Sequence, residues 1–405
     1  MRRTRILNVL SFIVVLTGCA GLIGVPDLTF DEQADQGNPD GSTSNIDGAT
    51  GDGSVTGDGG PAPPCDESKL QTDTRHCGRC NHDCLGGECK AGKCESVVVR
   101  EGLENPTDLA VDAANVYVTV RGSGTVLRIA KIDGKTDVLA SGHDEARGVT
   151  LDGQKLYWSN LDFDGDGGDD YWGGVWGCTL PACADTKLVT LGDWAASVRF
   201  SGGFLYFAEN NNSTVVRVRP DGTMRATVGT GTKPSSLAVD ATHVYFATNS
   251  NNLQRALLDG GAQESVGPLS YGGLQGYVTV DDERVYWAYA DYESPKGHVV
   301  SALKANPAAP KVTYGTANVN SHGVAVDALT LYWTNEGNFD GDFVNQKDGE
   351  VLACPKTGCA GPPVVLQQGL TWPGAILVDG DAIWFLTYGS KQGSADGELR
   401  RIAKP

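Results

Sequence analysis

Seven times the chain repeats one short pattern: two apolar residues at alternate positions, then usually an aspartate, then an aromatic residue five positions later. The anchors are Asp112/Tyr117, Asp152/Tyr157, Ser201/Tyr206, Asp240/Tyr245, Asp281/Tyr286, Asp327/Tyr332 and Asp379/Trp384. Successive aromatics lie 40, 49, 39, 41, 46 and 52 residues apart. The apolar pairs just before each anchor, such as Val149/Leu151 and Val324/Val326, have the period of two that puts side chains on one face of a strand. A second strand follows around each aromatic, as in Leu156/Trp158 and Leu331/Trp333, and a tight turn joins the two. Aspartate opens such turns because its carboxylate accepts a backbone N–H two residues on, and Ser201 does the same more weakly.

Each unit has room for two further strands, at 125–129 and 136–140 in the first and at 350–353 and 363–367 in the sixth. Four short strands recurring at this period make the blades of a β-propeller. The expected fold is therefore all-β, a seven-bladed β-propeller over residues 96–405, with six or eight blades as the alternatives. After 398–403 the last unit lacks a fourth strand, while an unassigned strand at 96–101 precedes the first unit. Using that N-terminal strand to close the last blade removes a free sheet edge. The segments Leu156-Tyr157-Trp158-Ser159 and Leu331-Tyr332-Trp333-Thr334 resemble the YWTD, NHL and gluconolactonase-like propellers. The aspartate of a strict YWTD tetrad is missing here, so the resemblance implies architecture and transfers no activity.

Residues 1–18 read as a signal peptide, with Arg2, Arg3 and Arg5 ahead of a short apolar run. The run ends in Leu16-Thr17-Gly18-Cys19, which resembles a bacterial lipobox. That resemblance implies a lipid on Cys19 and, with Ala20 next, an outer-membrane address. Residues 19–64 read as a lipidated, disordered acidic tether, because 20–64 hold eight acidic residues and neither Lys nor Arg. The formal net charge of -18 comes in large part from this segment. It argues against a nucleic-acid partner. A monomer attached to the membrane through its lipid is the expected form.

Residues 65–95 hold Cys65, Cys77, Cys80, Cys84, Cys89 and Cys94. A segment this small cannot build an apolar core and needs staples. Export favours three disulfides among these six, with the connectivity left open. Zinc on Cys77 and Cys80 with His76 and His82 is the alternative. The stretch resembles the cysteine-rich stubs of predicted myxobacterial-type lipoproteins, which implies location only. Cys178–Cys183 and Cys354–Cys359 recur in register in the second and sixth units and should cross-link the turn between third and fourth strands.

Both units also carry an acidic loop. Asp162, Asp164, Asp166 and Asp170 resemble the calcium loops of integrin-type propellers, which implies a calcium site, since alternate carboxylates supply the oxygens that calcium takes. Asn338, Asp340 and Asp342 form a weaker copy of that loop. A polar, aromatic rim is expected on one face from Arg121, Trp194, Asn211, Tyr289, Asp291, Tyr292, Trp372 and Tyr388. Catalytic motifs are missing from the sequence, with neither a Gly-x-Ser-x-Gly elbow nor a His-Glu-x-x-His pair. The function expected is a binding or scaffolding module for a protein, peptide or glycan at the cell envelope. The alternative is a lactonase-like hydrolase or lyase using a metal, or His143 and His322 as acid and base, in the central channel.

Overall fold

The repeats fold as seven four-stranded antiparallel sheets, one per repeat, set around an axis. The computed structural model describes residues 65–161, 173–250, 252–268, 275–291, 296–318, 320–338 and 347–405. Cys19, the tether, Asp162, Asp164, Asp166, Asp170, Asp340, Asp342 and Tyr292 lie outside the described residues. Blade 1 runs from the axis outward through Pro106–Val111, Asn115–Val120, Thr125–Ala130 and Thr136–Ala140. Blade 7 takes Pro373–Asp379, Ala382–Thr387 and Gly397–Ala403 from the C-terminal end and Val97–Leu103 from the N-terminal side as its outer strand. The ring therefore closes as the sequence implied.

The core lies between the blades. Seven apolar clusters each combine residues of two neighbouring blades. Between blades 5 and 6, for example, Tyr286 and Tyr314 pack with Val324, Leu331 and Trp333. Trp158, Trp287, Trp333 and Trp384 are fully buried, so these rings are packing elements and not ligand platforms. Two bridges, Cys178–Cys183 and Cys354–Cys359, close the turns after the third strands of blades 2 and 6.

The repeated Asp does more than open a turn. In blade 5 one oxygen of Asp281 accepts from the backbone N–H of Glu283 and Arg284 at 2.8 and 2.7 Å. The other accepts from the Tyr286 hydroxyl at 2.8 Å and from Lys356 of blade 6 at 2.8 Å. The same cross-blade link joins Lys304 to Asp240 at 2.8 Å, Lys404 to Asp327 at 3.3 Å and Lys131 to Asp379 at 2.6 Å. Each lysine directly follows, or lies at the end of, the third strand of the next blade. Where the anchor is Ser201, the corresponding position in blade 4 is Leu258. At four of the seven anchors the motif is thus a clamp from one blade to the next.

Residues 65–95 fold around Cys65–Cys80, Cys77–Cys89 and Cys84–Cys94. With all six sulfurs in disulfides, thiolates for the zinc alternative are gone. The stub does not stand away from the disc as a spacer. His82 bridges the carbonyls of Cys77 and Lys404 at 2.5 and 2.7 Å, and Arg79 donates to the carbonyl of Pro405 at 3.1 Å. Leu85 packs into the cluster between blades 7 and 1, so the stub seals the seam at which the ring closes.

Candidate functional site

Six inner strands carry the same irregularity. Their register shifts between Pro106/Asp108, Ala146/Val149, Ala195/Val198, Gln275/Val278, Ser321/Val324 and Pro373/Ile376. A bulge turns successive side chains to one side and re-aims them. The residues five and four positions before the anchor both reach the channel in blades 1, 2, 3 and 7, and in blade 4 without a bulge. Thr107/Asp108, Arg147/Gly148, Ala196/Ser197, Ser235/Ser236 and Gly374/Ala375 line one cavity, with Tyr277 and His322 from blades 5 and 6. Close approach of the inner strands needs glycine at two points: a Cβ on Gly323 would stand 2.1 Å from the carbonyl oxygen of Gly374, and one on Gly148 2.6 Å from the backbone nitrogen of Val198.

A second ring sits at the mouth. Nine positions after the anchors stand Arg121, Leu161, Asn210, Asn249, Glu336 and Tyr388, and all line the same cavity. Seven positions before the anchors stand Asn105, Glu145, Trp194, Lys233, Asn320 and Trp372, with φ of 55, 56, 56, 46, 50 and 54°. This left-handed conformation costs non-glycine residues about 1–3 kcal/mol each. It is fixed by a backbone bond within the blade: Arg121, Asn210, Glu336 and Tyr388 donate to the carbonyls of Asn105, Trp194, Asn320 and Trp372 at 2.9–3.1 Å. The turn brings Trp194, Lys233 and Trp372 to the cavity wall. At 510 Å³, the cavity has the size of a small-molecule site.

Its polar groups form three sets. On the wall, Asp108 accepts from Arg199 at 2.8 Å. At the mouth, one oxygen of Glu145 meets Arg121 Nε at 2.5 Å and Arg147 Nη2 at 2.9 Å. Arg121 also donates to the Tyr388 hydroxyl at 3.0 Å, and Tyr388 lies against Trp372 with ring centroids 4.6 Å apart. Across the cavity, His322 Nδ1 stands 3.6 Å from Glu336 Oε1. That is longer than a hydrogen bond, and burial governs both groups. It pushes the Glu336 carboxyl up to about 8, against a hydrogen bond from Trp372, and presses His322 down to about 4. At neutral pH the carboxyl keeps its proton and the imidazole is neutral.

Of the expected rim residues, Arg121, Trp194, Trp372 and Tyr388 line the cavity. Asn211 is exposed and donates to Asp193 at 3.0 Å. Tyr289 packs against the core between blades 4 and 5 instead, and Asp291 ends the strand Arg284–Asp291. Asn338 donates to Asp348 through both its backbone and side chain, at 2.9 and 2.6 Å. The two histidines of the catalytic alternative are not brought together. His322 lines the cavity, whereas His143 is buried between Trp158 and Trp176, at ring distances of 5.2 and 4.7 Å. Those rings hold it in the packing between blades, which removes the pair as an acid–base device.

Asp108, Arg147, Arg199, Lys233 and Tyr277 escaped the reading of the sequence. For Asp108, Arg147, Lys233 and Tyr277 the signal was there in the offsets from the anchors, four, five, seven and four positions before them.

Comparison with protein-family models finds no match, and comparison with curated proteins finds none either. Solved structures match the fold. The chain is similar to U3-55K, with a TM-score of 0.56 at 11% identity over 76% of this chain and 98% of that one. It is also similar to the WD40 β-propeller domain of Doa1, with a TM-score of 0.53 at 13% identity over 77% of this chain and 96% of that one. At such identities the likeness establishes the propeller architecture alone.

Proposed function

We propose that this protein is a lipid-anchored binding or scaffolding module of the bacterial cell envelope. It recognises a protein, peptide or glycan with the face at which the central cavity opens. The observation that carries this reading is the strained mouth: bulky residues in left-handed turns, Trp194 and Trp372 among them, bring aromatic and cationic side chains to one opening. Backbone strain of this kind persists where a site needs it. Aromatic and arginine side chains are the usual anchors of recognition. The test is capture from envelope extract by the wild-type protein beside a Trp372→Ala/Tyr388→Ala variant of unchanged melting temperature. A partner retained by the first and lost by the second is expected; equal capture by both sinks the reading.

The address rests on Leu16–Cys19. Cys19→Ala is expected to shift the protein from the membrane fraction to the soluble fraction, or to block its processing. Membrane association together with normal cleavage in that variant would remove the lipid anchor from the proposal.

A further inference from the structure

We propose that the central cavity is a binding site for a small ring-bearing oxyanion, a carboxylate or a phosphate, held by Arg121 and Arg147 against the Trp372/Tyr388 wall. The inference rests on the binding reading of this face but concerns a different ligand, a small molecule inside the channel.

Charge balance leads to it. Arg121, Arg147 and Lys233 line the cavity, and the carboxylate facing the two arginines is Glu145, which they share through a single oxygen. Arg199 and Asp108 offset one another. Glu336, which lines the wall with Asp108, keeps its proton because it is buried. Among the described residues the cavity wall therefore has more positive than negative charge, inside a chain whose formal net charge is -18. Among the described residues, Arg147 Nε is buried without a hydrogen-bond partner. Burial and the like charge of Arg121 both disfavour the Arg147 cation. Arg147 is half-buried and its ion-pair partner, Glu145, is shared with Arg121, so two guanidiniums stand against one carboxylate, and a second oxyanion is what would balance them, since the planar fork matches carboxylate and phosphate oxygens.

The shape supplies the rest of the ligand. Trp372 and Tyr388 stand 4.6 Å apart beside Arg121, which donates to the Tyr388 hydroxyl. A ring laid on this wall keeps its charged group at the arginines. Ser197, Ser235, Ser236 and Asn249 line the same cavity and offer bonds for hydroxyl groups. A cavity of 510 Å³ takes one or two rings and excludes a folded partner.

The experiment is calorimetric titration of the full mature chain with glucuronate, glucose 6-phosphate and glucose. Glucuronate or glucose 6-phosphate should bind, and the one preferred identifies the oxyanion. Glucose should bind roughly tenfold to a hundredfold more weakly than the better anion. The affinity for the anion should fall as salt is raised from 50 to 500 mM, because the contact is charge against charge. Arg147→Met should cost a similar factor, while Arg219→Met, outside the cavity, should cost nothing. Should Arg147→Met fold poorly, the salt series and the glucose comparison on the wild type decide the matter. Glucose bound as well as both anions, or binding heats from none of the three, overturns the proposal. Anion binding without partner capture keeps this site and sinks the recognition of a macromolecule; partner capture without anion binding does the reverse.

Discussion

Deleting Val97–Leu103 from the full chain is expected to abolish cooperative unfolding. This strand is the outer strand of blade 7, hydrogen-bonded to Gly397–Ala403. It is distant in sequence from the rest of that blade, so it is the one strand whose pairing ties the two ends of the propeller together. Without it Gly397–Ala403 becomes a free edge, with Leu399 and Ile402 no longer shielded on that side. Leu103 is 2% exposed within the cluster that also holds Trp384 and Leu399. Losing that side chain alone costs about 2–5 kcal/mol. The main effect exceeds this, because blades 7 and 1 meet at the same seam. The stub adds a second latch through His82, Arg79 and Leu85, but it reaches the seam from outside the sheet. Thermal unfolding followed by near-ultraviolet circular dichroism should lose its sigmoidal transition in the deletion. Reduction of the stub disulfides with the strand intact should lower the transition and keep it cooperative. A deletion variant that melts as the wild type does would show that the ring is stable as an open propeller.

How far the sequence reveals this protein depends on which residues obey a local rule. The anchors do. Leu109, Val116 and their counterparts alternate, so the inner strands and their burial could be read directly. Closure was legible for a topological reason: one strand was left over and one blade was short. The stub's docking was not legible, because bonds such as His82 to the carbonyl of Lys404 span most of the chain and have no pattern in composition. Arg147 and Tyr277 were hidden by the bulge, which turns two successive residues toward the channel where strict alternation places one. Tyr289 misled in the opposite direction. It sits near the end of a strand where a loop residue was expected, and the longer strand Arg284–Asp291 lays it, half-buried, against the core. The cross-blade lysines were visible only in hindsight: Lys131, Lys304, Lys356 and Lys404 lie at different distances from their anchors because the loops between second and third strands differ in length.

Those lysines make Asp281 the residue whose loss should be felt most. Asp281→Ala removes the partner of two backbone N–H groups, of the Tyr286 hydroxyl and of Lys356 from the next blade. Tyr286 is fully buried, so its hydroxyl would be left without an acceptor. Breaking such a network costs about 3–5 kcal/mol. Asp112→Ala is the comparison. Among the described residues the Asp112 carboxylate binds Tyr117, Asn115 and its own turn, and draws no lysine from blade 2, where Leu180 follows the third strand. Its loss should cost less, by about 1–2 kcal/mol. A double-mutant cycle of Asp281→Asn with Lys356→Met isolates the cross-blade part as a coupling energy. The pH dependence has a definite sign. Burial pushes the carboxyls of Asp240, Asp281 and Asp327 up, and lysine and turn N–H bonds outweigh it, so all three sit below the usual aspartate value. Groups held low in the folded state add stability that is complete above the unfolded value, about 3.9. It is lost as the pH falls through the folded values. Unfolding free energies measured from pH 7 down to 2 should therefore show wild type and Asp281→Asn separated by a constant gap above pH ~5 that narrows as the pH falls below ~4. A gap of the same size at pH 2 as at pH 7, or the absence of coupling between Asp281 and Lys356, would show that the Asp281 charge adds nothing to the joint between blades 5 and 6.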